Sequence, residues 1–220
     1  MNIIAGIIGI SVAFLIVVLV IIFGKKKLDP TISVPLNNFL TSQGFTLVES
    51  TDPIFRSITD ACRLTMHAAY IEQVYKKAGD DCAVCWLRNV NGPTNHLVAA
   101  IPKANNSVAW IMLFIPGLKG VGGNIIRKSF GLSLPRHFRK MESGASGQSA
   151  IQYDLYVKGG ESMPSFKDEF IQLLPQCGNM ILRSTGSMML VERISLNKTE
   201  TWEQEAIELL RITELLKAWL

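Results

Sequence analysis

The chain has 220 residues, of which 48% are hydrophobic and 18% charged, and its formal net charge is +4. This apolar content is high enough for a hydrophobic core, which excludes an intrinsically disordered chain. No internal repeat is visible, which excludes a repeat architecture. The pattern of charge and hydropathy changes sharply after the first two dozen residues, which separates an apolar N-terminal segment from the rest of the chain.

The N-terminal segment reads as a membrane anchor. Residues 3–23 contain no charged side chain, and as a helix they would cover roughly 30 Å, the thickness of a hydrocarbon core. A cleaved signal peptide is the alternative, but it needs a basic start and a small-residue cleavage site, and only Met1 and Asn2 precede the run. We therefore predict a transmembrane anchor over 1–24, followed by a basic juxtamembrane linker over 25–35.

The flanks of this helix predict its orientation and a packing face. Lys25, Lys26 and Lys27 follow the apolar run, and lysine-rich flanks stay cytoplasmic. We therefore expect a single-pass protein of the bacterial inner membrane, with its N-terminus outside and its C-terminal domain in the cytoplasm. Small residues recur every four positions, a spacing that lets another transmembrane helix approach closely, although such residues are also common in membrane helices. They are Ala5, Gly9 and Ala13.

Residues 36–220 are long enough for one soluble domain. The first half predicts a short helix over 36–43 ended by Gly44, a strand over 45–49 and a long amphipathic helix over 56–78. Strand-like runs follow at 82–90, 96–102 and 108–115, with 103–107 as the loop of a hairpin. The run 108–115 is continuously apolar, which is typical of a central strand buried on both faces.

The second half predicts a strand over 151–157, a short helix over 164–174 and a hairpin whose strands, 180–183 and 188–194, flank residues 184–187. Thr201 and Gln204 resemble a capping box that starts an amphipathic C-terminal helix. Two hairpins without regular strand–helix alternation predict an α+β fold with a largely antiparallel sheet and several helices.

Several short stretches carry a resemblance to a known group. They are the anchor, Gly44-Phe45, Leu134-Pro135-Arg136-His137-Phe138, Tyr153-Asp154-Leu155-Tyr156-Val157 and Gly186-Ser187-Met188-Met189-Leu190-Val191. With these, the chain resembles a broad group of uncharacterised bacterial single-pass membrane-anchored proteins with a soluble α+β domain. The resemblance spans most of the domain and implies a fold and an anchor. It supplies no catalytic residues.

Charge is placed unevenly along the domain. Residues 82–141 contain no Asp or Glu and eight basic residues, so this block is +8 and the rest of the chain is −4. The block could face anionic lipid or an acidic partner, or it could reflect core strands that need few charges. No aromatic residues alternate with the basic ones as in single-strand-binding proteins, so nucleic acid is not expected. The basic residues are Arg88, Lys103, Lys119, Arg127, Lys128, Arg136, Arg139 and Lys140.

Candidate chemistry is sparse. Cys82 and Cys85 have the spacing of a redox pair or half a zinc site, but on a strand they would point to opposite faces. His67 fits a core histidine, and the glycine-rich stretch 117–124 lacks the lysine and hydroxyl of a phosphate-binding loop. We therefore expect no catalytic residues, no metal and no cofactor.

The sequence thus favours a non-catalytic accessory or scaffold subunit of a larger membrane protein complex. It would contact membrane lipid and other transmembrane helices or subunits through Ala5, Gly9 and Ala13. Its basic positions would be Lys25, Lys26, Lys27, Lys119, Arg127, Lys128, Arg136, Arg139 and Lys140. Two alternatives stay open: a membrane-tethered enzyme using a thiol or histidine, and a sensor of anionic lipid surfaces.

Overall fold

The computed structural model describes residues 33–66, 69–89, 95–103, 108–116, 120–141, 151–195 and 200–219. The helices in these ranges are α1 (Ser33–Ser42), α2 (Pro53–Thr65), α3 (Gly120–Ser133), α4 (Asp168–Cys177) and α5 (Trp202–Lys217). The strands are β1 (Phe45–Leu47), β2 (Ala69–Lys77), β3 (Ala83–Asn89), β4 (Asn95–Pro102), β5 (Trp110–Phe114), β6 (Phe138–Met141), β7 (Asp154–Lys158), β8 (Met180–Ser184) and β9 (Met188–Arg193).

All nine strands form one sheet in the order β1-β2-β3-β4-β9-β8-β5-β7-β6. Every pairing between neighbouring strands is antiparallel. The fold is therefore mixed α+β with a large antiparallel sheet, as the sequence predicted. The continuously apolar stretch around 108–115 forms β5, which is buried along its whole length between β8 and β7.

Helices cover both faces of the sheet, and side chains alternate between two layers along each strand. One layer, here called the continuous face, is a single apolar cluster beneath α1, α4 and α5. In the order of the sheet, it extends from β1 across to β7 and includes residues of β8 and β9. The opposite layer, here called the divided face, consists of two separate clusters, one beneath α2 and one beneath α3. On β3, for example, Trp86 belongs to the continuous face and Cys85 to the divided face.

The predicted long helix over 56–78 is wrong. Asp52 caps α2 by accepting a hydrogen bond from the N–H of Ile54, Pro53 opens the helix, and it ends at Thr65. Residues 69–77 instead form β2, whose register shifts between Ile71 and Gln73. Because this bulge interrupts the period-two alternation, the apolar residues of β2 also fit a helical period.

The predicted hairpin with a loop at 103–107 is also wrong. β4 pairs with β9, and β5 pairs with β8 and β7, so the β8–β9 hairpin lies between β4 and β5. The prediction of that β8–β9 hairpin around 184–187 is confirmed. The capping box of Thr201 and Gln204 at the start of α5 is confirmed as well.

Edges of the domain were predicted less well. The edge strand β6 was not predicted, and α4 begins at Asp168, four residues later than the predicted start at 164. Within the described ranges, no helix has both the length and the apolarity needed to cross a bilayer. The predicted anchor over residues 3–23 lies outside those ranges.

Candidate functional surface

The structure separates the two cysteines of the Cys82–Cys85 motif. Cys82 lies in the cluster of the continuous face and Cys85 in a cluster of the divided face, so the two thiols cannot share a metal ion or form a disulfide. Burial raises the pKa of Cys82 to about 12 and that of Cys85 well above its ordinary value. Both thiols are therefore held protonated, the form that is neither nucleophile nor ligand.

The other two cysteines have the same character. Burial, only partly opposed by Arg183, raises the pKa of Cys62 to about 12, and burial raises that of Cys177 to about 11. Both are free thiols inside the core. Among the described residues, no group of three or more His, Cys, Asp or Glu side chains could hold a metal ion.

The histidines do not form a common site. His96 lies on β4, with Nδ1 2.8 Å from Oε1 of the buried Glu192, and His137 is exposed, with Nε2 3.1 Å from the carbonyl oxygen of Leu64. His67 lies outside the described residues. The two described histidines each contact their own neighbour on the divided-face side of the molecule.

The structure brings together a serine and a lysine that the sequence did not predict to be in contact. Lys103 Nζ donates a 2.6 Å hydrogen bond to Ser184 Oγ, and Ser184 in turn donates to the carbonyl oxygen of Thr185. Burial lowers the pKa of Lys103, which is the condition a lysine base requires. Ser184, however, is fully buried, so its hydroxyl ties the end of β4 to the β8–β9 hairpin and is closed to a substrate. The residues are 81 positions apart, and no local motif signals the contact.

The structure corrects the role of Arg127. The sequence placed this residue on an exposed basic surface, but it is only 6% exposed and donates a 2.8 Å hydrogen bond to Asp154 Oδ2. Its second terminal nitrogen lies 3.4 Å from the carbonyl oxygen of Ile115. Lys140 Nζ approaches the other carboxylate oxygen of Asp154 at 2.6 Å. Asp154, which lies outside the basic block in the sequence, thus neutralises Arg127 and Lys140 from a buried position.

Two exposed basic residues lie four positions before and four positions after one exposed apolar side chain. Lys128 and Leu132 are four residues apart on α3 and therefore share one face of the helix, and Arg136 follows just after its end. Leu132 is 87% exposed, the highest value among the large exposed apolar side chains of the described residues. We call Lys128, Leu132 and Arg136 the Leu132 surface. On edge strand β6, Lys140 lies on the same side as α3 but is paired with Asp154, whereas the exposed Arg139 lies on the opposite side of the sheet.

Tight packing fixes the helix that carries this surface. A Cβ atom added to Gly131 would lie 2.9 Å from Oη of Tyr156 on β7, so α3 approaches the sheet where it has no side chain. Burial and the Asp154 carboxylate raise the pKa of Tyr156 to about 12. Together with the Arg127–Asp154 pair, this contact holds the outward face of α3 in one orientation.

A separate open cavity of about 690 Å³ lies at the β1 edge of the sheet. Its walls carry both signs of charge, including Glu49, Asp52, Lys76 and Lys77, so they define no single ligand charge. The predicted partner-binding residues Ala5, Gly9 and Ala13, the flanking Lys25, Lys26 and Lys27, and Lys119 lie outside the described residues. Their roles stay predictions.

Comparisons with known proteins give little further information. No family model matches the chain, and no curated protein matches it. The crystal structure of the mycobacterial trehalose monomycolate transport factor A is similar over 82% of this chain and 92% of that one, with 12% identity and a TM-score of 0.42. With this identity and TM-score, the likeness carries no inference about what this chain does.

Proposed function

We propose that this chain is a non-catalytic accessory or scaffold subunit of a larger membrane protein complex. It is anchored by the helix predicted over residues 3–23, with its domain on the cytoplasmic side. The observation that carries the proposal is the Leu132 surface: a rigid helix presents a large apolar side chain to solvent, and exposed basic residues flank it in the sequence. Burying a leucine that is 87% exposed in an apolar pocket of a partner would remove its side chain from water, which is favourable.

The candidate chemical groups support a non-catalytic role. The cysteines are buried and have raised pKa values, and Ser184 is fully buried against Lys103. A nucleophile needs access to its substrate as well as a base within reach. Lys128 and Arg136, in and just after α3, are instead exposed on this side of the molecule.

The anchor provides the first experiment. The full chain, extracted from its native membranes in mild detergent, is expected to migrate with co-purifying subunits. Gly9→Ile places a bulky side chain on the predicted small-residue face and should disrupt that association. Ser11→Ile makes a similar change about 200° away around the same helix and serves as the matched control. Migration of the wild-type chain as a lone monomer would contradict the proposal.

Topology provides the second experiment. Carbonate washing should leave the chain in the membrane fraction, because a transmembrane helix is not released by alkali. A fluorescent protein fused after Leu220 should fold and fluoresce, and alkaline phosphatase at the same position should be inactive, as expected for a cytoplasmic C-terminus. The opposite pair of reporter results would reject the proposed orientation.

A further inference from the structure

We infer that the Leu132 surface binds an acidic protein partner that has an apolar pocket for Leu132, at the end of the domain away from the predicted anchor. The inference rests on the proposed function and adds to it the site and the chemistry of the partner. Three observations carry it: the charge of the surface, its rigidity and its position in the fold.

The charge is uncompensated at the surface. Within the described residues, Lys128 and Arg136 form no ion pair. Asp154, the acid that lies against this part of the chain, is buried and already bound to Arg127 and Lys140. An acidic partner would complement this excess of positive charge, which speeds encounter and selects against basic proteins.

The surface is preorganised. Leu132 stands next to Gly131, whose close approach to Tyr156 fixes the distance between α3 and β7. One turn earlier, the buried Arg127–Asp154 pair fixes the rotation of the same helix. Because the helix that carries Leu132 is held in one orientation, little conformational entropy is lost when a partner buries this side chain.

The position favours a protein over the bilayer. The strand register places Phe45, the Lys77 end of β2, Ser184 and Phe138 at one end of the sheet, which we call the Phe138 end. The helix α3 follows β5 and leads through Arg136 into Phe138, so the Leu132 surface lies toward this end.

The connection to the anchor leaves from elsewhere. The helix α1 runs toward the Phe138 end, because only two residues separate Ser42 from Phe45. Its first residue, Ser33, therefore lies about 15 Å back along the helix, which packs on the continuous face, whereas α3 packs on the divided face. The nine residues from 24 to 32 reach at most about 30 Å. The tether thus joins the domain on the continuous face, across the sheet from the Leu132 surface.

Site-specific photocrosslinking tests this inference in the full chain in its native membranes. A benzoylphenylalanine introduced at position 132 should give a discrete protein adduct, and the same probe at Ile207, 47% exposed on α5, should not. Lys128→Glu combined with Arg136→Glu, scored with the probe at 132, should lower the adduct yield about tenfold or more. The matched reversal Arg56→Glu with Arg63→Glu, at exposed positions of α2, should leave the yield unchanged.

A lipid adduct at position 132 would overturn the inference, and so would a protein adduct whose yield does not respond to the Lys128 and Arg136 reversals. The absence of any adduct at 132 would overturn it as well. Failure here is distinguishable from failure of the proposed function. If the reversals leave the detergent-extracted complex intact while Gly9→Ile dissociates it, the subunit role stands and only the Leu132 surface is rejected.

Discussion

The two faces of the sheet are built differently. The continuous face is one apolar cluster under three helices, and the divided face has two clusters separated by polar groups. Four of the five buried charged residues in the described ranges lie on the divided-face side: Arg127, Asp154, Arg183 and Glu192. Glu205, on α5, is the fifth.

The polar groups of the divided face connect its two helices. Arg183 Nη1 donates a 2.9 Å hydrogen bond to the carbonyl oxygen of Thr65 at the end of α2. The guanidinium carbon of Arg183 lies 5.8 Å from the ring centroid of Phe130 on α3, and its other terminal nitrogen is 3.4 Å from Glu192. Apolar burial is non-directional, whereas these contacts have fixed geometry. The continuous face thus stabilises the fold through apolar burial, and the divided face sets the orientation of the helix that carries Leu132.

The largest effect is expected at the ion pair beneath α3. Asp154→Ala leaves the guanidinium of Arg127 buried without its carboxylate, which should lower the free energy of unfolding by about 3–5 kcal/mol. Replacing both partners, with Arg127→Met and Asp154→Leu, should cost less than the single change, because no unpaired charge remains. Urea unfolding of the full chain in mild detergent measures both. A loss below about 1 kcal/mol for Asp154→Ala would show that the pair does not hold α3.

A smaller loss is expected where the two clusters meet. Arg183→Met removes the hydrogen bond to Thr65 and the contact with Glu192, and we expect a loss of about 2–3 kcal/mol. It is smaller than for Asp154 because the Arg183–Glu192 contact is longer and Glu192 keeps its 2.8 Å contact with His96. The exposed Arg88–Glu72 pair on β3 and β2 is the control, since Arg88→Met should cost less than about 1 kcal/mol. Equal losses of unfolding free energy for Arg183→Met and Arg88→Met would show that the buried pair stabilises the fold no more than the exposed one.

The contrast between the faces also explains what the sequence could predict. Three local signals were interpreted correctly: Gly44 after α1, the Thr201 capping box and the apolar run of β5. The apolar period of residues 69–77 was also local, and it was wrongly taken for a helix. These features depend on residues within a few positions of each other. The α+β class was predicted from two hairpins and the lack of regular strand–helix alternation, and of these hairpins the structure has the one formed by β8 and β9.

Long-range pairings were beyond the sequence. Neither the insertion of the β8–β9 hairpin between β4 and β5 nor the Lys103–Ser184 contact has a local signature. The basic block was visible, but its division into the buried Arg127 and the exposed Lys128 depends on the rotation of α3. Leu132 was missed because the sequence alone does not show which side of α3 packs on the sheet. Without that knowledge, an exposed leucine cannot be told from a core leucine.

Two glycines of α3 test how closely this helix must pack. Gly131→Ala would place a Cβ 2.9 Å from the buried Tyr156 hydroxyl, so we expect a loss of about 1–3 kcal/mol from overpacking. Gly122→Ala, in the same helix with open space around the new Cβ, should instead stabilise by about 0.5–1 kcal/mol, as expected from helix propensity. Chemical unfolding compares the two. If both substitutions stabilise the protein, α3 can move away from β7 and the Leu132 surface is not rigidly held.

The smallest effect is expected at an ion pair near the margin of the continuous face. Lys217 of α5 contacts both carboxylate oxygens of Asp80 at 2.7 Å, just before β3. Burial raises the pKa of Asp80, but the hydrogen bonds from Lys217 and from the N–H of Cys82 outweigh it, and the net pKa is lowered. Burial likewise lowers the pKa of Lys217, and its hydrogen bonds to Asp80 and Glu214 outweigh that and raise it.

These shifts define a pH window for Asp80→Asn. Because the folded-state pKa of Asp80 is lowered, its stabilisation is present above the unfolded value of about 3.9 and is lost as the pH falls through the folded value. Because that of Lys217 is raised, its stabilisation is present below about 10.4 and is lost as the pH rises through the folded value. Between these two pH limits, the free energy of unfolding of the wild type should therefore exceed that of Asp80→Asn by a constant amount of at most about 1 kcal/mol. Urea unfolding across the pH range measures the difference. A neutral-pH loss as large as that of Asp154→Ala would mean that the continuous face also depends on a directional ion pair, and the contrast between the two faces would fail.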